Sequence, residues 1–142
     1  VVVDAAGEPV AVDGLAVQRP SAEAGLHARI AAVTGAGAVV HVHALAAVVA
    51  ARRWPEGVVL HDVEMLKGIG RGAHDDVVTV PVVANSQDMA ELGDRFVARY
   101  DSGVPAVIVA DHGMYVWGTD LRQARHHTEC LEWLLSLAVA SA

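Results

Sequence analysis

Ala36-Gly-Ala-Val-Val-His-Val-His43 sets the architecture of this chain. An apolar run of small and β-branched residues reads as a buried strand, and strand side chains alternate faces with period two. His41 and His43 therefore share one face at the end of that strand, with Val42 turned to the other. Two imidazoles side by side at a strand terminus begin a metal site. Zinc takes neutral nitrogen ligands, and catalytic zinc keeps one position open beside three protein ligands. On the dipeptide spacing alone, a pair of solvated strand-end histidines is the alternative.

On the N-terminal side of that strand, Pro20-Ser21 opens a helix, with Ser21 as N-cap and Ala22 to Val33 as its body. Thr34-Gly-Ala-Gly37 stops it. On the C-terminal side, Ala44 to Arg53 forms a second helix, ended by Trp54-Pro-Glu-Gly57. Val58 to Leu60 reads as a short strand, Val63 to Lys67 as a helical turn closed by Gly68, and Gly68 to Asp76 as loop. Val77 to Val83 is a strand interrupted by Pro81, which places it at an edge or kinks it. Ser86 caps a helix to about Tyr100. Pro105 to Ala110 is a second buried strand, Asp111-His-Gly113 a tight turn, and Met114 to Trp117 a returning strand. Thr119 caps a long last helix to about Ala140. Its stripe of Leu131, Leu134, Leu135 and Ala138 reads as core or subunit contact. Near the start, Val1 to Val3 and Pro9 to Val12 flank a turn and read as a hairpin. The sum is α/β with an antiparallel or mixed sheet.

A chain of 142 residues with 54% hydrophobic content, mostly Ala and Val, is one domain with a real core. The net charge of −7 with Lys67 as the only lysine leaves no basic footprint for nucleic acid. Cys130 is the only cysteine, so no internal disulfide forms and no oxidising compartment is implied. Leu131 to Ala140 is apolar but too short to span a bilayer, and it carries Glu132. The expectation is a cytoplasmic protein that takes small molecules, with neither nucleic acid nor membrane as partner.

Among the remaining chemistry-bearing residues, His112 ends a buried strand just before Gly113, so its imidazole can lean over the strand ends beside His41 and His43. Three histidines at the ends of two strands can supply the three nitrogens of an open zinc site. Glu64 lies between the two His-bearing strands in sequence. It is either the general base of such a site or an ordinary exposed helix glutamate. Glu23 faces the same choice, and at a helix start it also suits the dipole. His27, one turn after Glu23, can share its face. His126 and His127 are adjacent on a helix and point about 100° apart, so they do not chelate one ion. Solvation accounts for His74 and Lys67.

These stretches together resemble the class II aldolase/adducin-type family. The matching pieces are Arg19-Pro-Ser-Ala-Glu-Ala-Gly-Leu-His27, Gly35 to His43, Glu64-Met-Leu-Lys-Gly68, Val80-Pro-Val-Val-Ala-Asn85, His112-Gly-Met-Tyr-Val-Trp-Gly118 and the helix Ala124 to Leu135. They span nearly the whole chain in the family's order. Glu64 to Gly68 and the Tyr-Val-Trp-Gly continuation favour the family's dehydratase branch, which acts in methionine salvage. The resemblance implies a three-layer α/β/α sandwich around a mainly antiparallel sheet. It implies one Zn2+ per subunit on His41, His43 and His112, with Glu64 as catalytic acid/base. Glu23 matches the acid/base of the family's sugar-phosphate aldolases. A sugar-phosphate substrate, hydro-lyase activity and a C4-type homotetramer with active sites near subunit boundaries are implied as well. Family members hold the substrate phosphate with N-terminal loops, and residues 1–142 are expected to form one class II aldolase-like domain lacking that segment. Three rival readings are a class II aldolase working through Glu23, a non-catalytic adducin-like interaction module without zinc, and an inactive fragment whose metal site survives.

Overall fold

The computed structural model describes residues 1–14 and 16–142. Its strands are β1 (Ala38–Val42), β2 (Val58–Leu60), β3 (Val78–Val80), β4 (Val82–Val83), β5 (Ala106–Val109) and β6 (Gly113–Gly118). Its helices are α1 (Ala24–Thr34), α2 (Leu45–Arg53), α3 (Met89–Arg99) and α4 (Leu121–Ser141), with a 3-10 helix at Glu64–Ile69. The main sheet has the order β1-β6-β5-β4. β6 is antiparallel to both β1 and β5, and only β4 runs parallel to its neighbour. β2 and β3 form a separate antiparallel ribbon.

Alternation along β5 and β6 distributes the core to both sheet faces. Val107, Val109, Tyr115 and Trp117 pack with Leu26 and Ile30 of α1 and with Leu92 and Phe96 of α3. Ala106, Ile108, Met114 and Val116 face the other way, against Ala47 and Ala50 of α2 and Leu131, Leu134 and Leu135 of α4. The result is the three-layer α/β/α arrangement around a mainly antiparallel sheet. The α4 stripe is core.

Several boundaries differ from the sequence reading for local reasons. The Val77–Val83 strand is two strands in different sheets, because Pro81 has no N–H to pair and the chain changes sheet there. The Pro81 carbonyl accepts from the Ile108 amide at 2.9 Å as it enters the main sheet. α3 is capped by Asp88, whose carboxylate accepts from the amides of Ala90 and Glu91, and not by Ser86. α4 is likewise capped by Asp120 on the Gln123 amide, at 2.8 Å, and not by Thr119. Ser21 Oγ accepts from the Glu23 amide at 3.2 Å in a turn before α1, so the helix proper starts at Ala24. The 3-10 helix runs past Gly68 to Ile69 because Leu66 and Ile69 are both buried, and Gly70 closes it. Among the described residues no helix is long and apolar enough to cross a membrane.

Candidate metal centre

β1 delivers His41 at its penultimate position, and the pairing with β6 orients the ring. His41 Nδ1 lies 3.0 Å from the Met114 carbonyl across the strand pair. Donation of Nδ1–H to that oxygen leaves the Nε2 lone pair free, the arrangement that commonly orients a metal-bound imidazole. The ring also stacks on Tyr115, with centroids 4.1 Å apart and planes inclined by 20°. His43 follows just past the strand on the same side, its ring 4.8 Å from that of His41. Val42 turns to the opposite core.

His112 arrives from the turn between β5 and β6, with its ring 5.0 Å from His41 and 4.9 Å from His43. Gly113 makes that approach possible. A Cβ there would stand 2.3 Å from the Val42 carbonyl oxygen and 3.1 Å from His43 Cα. The sequence reading assigned Gly113 to the turn itself. In the structure the left-handed residue is Asp111, with φ 55°. The glycine instead serves the close approach of two backbones.

Glu23, immediately before α1, completes the group. Its Oε1 lies 2.9 Å from His112 Nε2 and 3.5 Å from His41 Nε2. One ligand atom from each of Glu23, His41, His43 and His112 falls within a 4.8 Å cluster. Two ring nitrogens in this group, His41 Nε2 and His112 Nδ1, are buried without a hydrogen-bond partner. Buried polar atoms are ordinarily paired, so the unpaired His41 Nε2, which faces Glu23 Oε1 within this donor set, fits a cation. Three imidazoles and a carboxylate suit zinc and its neighbours in the first transition row. Burial pushes the His41 pKa below the ordinary histidine value, reinforced by His112 and His43 and opposed by the Met114 carbonyl and Glu23. A neutral imidazole is the form a metal needs.

His27 does share the Glu23 side, as its spacing suggests, but as a wall of the site. Its ring meets Tyr115 edge-on at 5.3 Å and His41 at 6.4 Å. Burial lowers its pKa as well. Glu64 stands outside the four-residue group. Its side chain is 72% exposed, pairs with Lys67 at 2.7 Å and lies 3.9 Å from His74. The Lys67 hydrogen bond and charge hold its carboxyl below the usual range. His127 is a tether, donating from Nδ1 to the Trp117 carbonyl at 2.8 Å. His126 lies beside Cys130, 3.7 Å from its sulfur.

Tyr115 and the Met114 carbonyl are parts of the site that the sequence reading did not single out, and Asp111 precedes His112 with left-handed backbone without joining the donor group. The first two depend on the register that sets His41 opposite Tyr115 and Val42 opposite Met114. Neither strand states that register by itself. A left-handed aspartate has a weak signal, an Asx residue in a two-strand turn.

Fold and donor set together define a three-layer α/β/α domain with a His/Glu group compatible with a metal ion at one end of its sheet. The chain belongs to the class II aldolase and adducin family, whose N-terminal domain matches residues 1–139. It is 39% identical over 140 residues to the methylthioribulose-1-phosphate dehydratase of Methylococcus capsulatus, covering 95% of this chain and 66% of that protein. It is 40% identical over 116 residues to the enzyme of the same name from Aquarana catesbeiana, covering 74% of this chain and 48% of that protein. The chain thus spans about half to two thirds of the length of these curated relatives. Among solved structures, L-fuculose-1-phosphate aldolase from Thermus thermophilus superposes with a TM-score of 0.65 at 22% identity, over 87% of this chain and 63% of that one. YgbL of Escherichia coli gives a TM-score of 0.67 at 22% identity, over 87% and 58%. These two likenesses establish the fold alone.

Proposed function

We propose that this chain is the catalytic domain of a zinc-dependent hydro-lyase that removes water from 5-methylthioribulose-1-phosphate, giving 2,3-diketo-5-methylthiopentyl-1-phosphate in methionine salvage. The observation that carries the reading is the convergence of His41, His43 and His112 with Glu23, the His41 Nε2 atom among them buried and unpartnered. The dehydratase name of the relatives supports the choice of substrate. Residues 1–142 act in this reading as one class II aldolase-like unit of a cytoplasmic homotetramer.

The three imidazoles, with Glu23 beside them, would hold the ion. Zinc bound there would supply Lewis acidity toward the substrate's carbonyl and hydroxyl oxygens. His41 is held in one tautomer by Met114, so its donor nitrogen is aimed before any ligand arrives. The reaction needs a base for the C3 proton and an acid for the hydroxyl leaving C4 as water, followed by tautomerisation to the diketone. Glu64 takes both roles in our reading, with Lys67 keeping it ionised as the resting base. In this reading the active site lies near a subunit boundary, where a second copy would bring carboxylate and metal together.

A second reading is favoured by one distance, the 2.9 Å between Glu23 Oε1 and His112 Nε2. With Glu23 as the acid/base, the same centre would cleave a carbon–carbon bond in a fuculose- or rhamnulose-type phosphate. Replacement tests separate the roles. Glu64→Gln should retain zinc and lose turnover of methylthioribulose-1-phosphate, whereas His43→Ala should lose both. Substantial turnover by Glu64→Gln removes Glu64 from the chemistry.

A further inference from the structure

Among the described residues, the non-glycine positions with left-handed backbone are both aspartates, Asp62 at φ 57° and Asp111 at φ 55°. L-residues avoid that region because Cβ crowds the following carbonyl, and Asp and Asn are among the few that tolerate it. Strained backbone of this kind concentrates at functional sites. Asp111 immediately precedes His112, in the short turn from β5 to β6, where the His112 amide donates back to the Val109 carbonyl at 3.2 Å. Its carboxylate is not in the ligand group. It points away to Arg52 Nε at 2.5 Å, on the helix that starts two residues after His43.

We propose that Asp111 is a positioning residue for the metal centre. Its left-handed backbone turns the chain so that His112 faces His41 and His43, and the Arg52 pair ties that turn to the helix behind His43. This inference rests on His112 being a metal ligand. The two contributions differ in size. With both side chains mostly exposed, at 71% and 59%, the ion pair is the minor one. The backbone is the larger, because a β-branched residue forced out of the left-handed region swings the next residue. Glycine enters that region freely and asparagine readily, so both should preserve the turn.

The test is Zn2+ affinity of the full chain, measured by competition with a chromophoric chelator, together with the visible spectrum of the Co2+ form. Asp111→Val should weaken Zn2+ binding about tenfold or more and alter the Co2+ spectrum, within the range that orienting partners of metal ligands command. Asp111→Asn and Asp111→Gly should remain within about threefold of the parent, and Arg52→Gln within about fivefold. Asp62→Val applies the same backbone penalty beside no proposed ligand, so it should leave affinity unchanged. His112→Ala supplies the reference for a lost ligand. If His112→Ala loses the metal while Asp111→Val binds like the parent, the positioning role is overturned and the metal centre stands. Equal losses in Asp111→Val and Asp62→Val also overturn it, as general damage. Parent-like binding by His112→Ala overturns both the role and the ligand assignment beneath it.

Discussion

Gly113→Ala places one methyl group where the structure has room for none. The added Cβ would meet the Val42 carbonyl oxygen at 2.3 Å, the Val42 carbonyl carbon at 3.1 Å and His43 Cα at 3.1 Å. All three are backbone atoms of the segment that carries His41 and His43, so no side chain can rotate out of the way. β1 or the β5–β6 turn has to shift. Overpacking of buried positions costs about 1–3 kcal/mol, and a clash against backbone belongs at the upper end, about 3 kcal/mol. A domain of this size loses about 3 °C of Tm per kcal/mol, which gives a fall of about 10 °C. Gly72→Ala is the matched control, since a Cβ there meets nothing within 4 Å. It should move stability by less than about 0.5 kcal/mol. The clash also separates His112 from His43, so Zn2+ affinity should fall by about tenfold or more. Thermal unfolding followed by circular dichroism, with chelator competition for zinc, reads both effects. A Gly113→Ala protein with parental Tm and parental zinc affinity would rule out close backbone approach as what builds the centre.

Lys67→Met removes the partner that keeps the Glu64 carboxyl low, so the acidic limb of the kcat/KM pH profile should move to higher pH; an unmoved limb excludes Glu64 as the base. Tyr115→Phe keeps the ring stacked on His41 and deletes a buried hydroxyl that has no partner. Stability should stay level or rise by up to about 1 kcal/mol in chemical denaturation with zinc affinity unchanged, and a marked loss of either shows that the hydroxyl is in use. Burial depresses the His27 pKa below 6.5 in the fold. Between its folded and unfolded pKa values the unfolded chain binds more protons, so stability is full above 6.5 and is lost as pH falls below it. Metal-free Tm should therefore drop on acidification through that range, and His27→Gln should flatten the slope; parallel slopes remove His27 as a contributor.

The order of helices and strands was legible because Ala/Val runs and Gly, Pro and Asx punctuation mark it directly. Period-two alternation was enough to place His41 and His43 on one face, and the short β5–β6 turn brought His112 to them. Glu23 was readable only as a possibility, since its arrival at His112 depends on where α1 sits against the sheet. Tyr115 and the Met114 carbonyl depend on β1–β6 register. Register is settled by the whole sheet packing two cores at once, and one strand's sequence does not contain it. Helix caps shifted because Ser86 accepts from the Asp88 amide ahead of α3 and the Thr119 hydroxyl donates to Gln123, leaving Asp88 and Asp120 to cap the two helices. Pro81 read as an interruption, but its role in passing the chain between two sheets needs the partner strands on both sides.

Metal-dependent dehydration at the three-histidine centre stands or falls on its product. The decisive experiment is mass spectrometry after the zinc-loaded protein is incubated with methylthioribulose-1-phosphate, beside a His43→Ala control. A product one water lighter than the substrate should form with the parent and be absent from the control. Two carbon fragments, or unchanged substrate with zinc bound, would overturn the dehydratase reading.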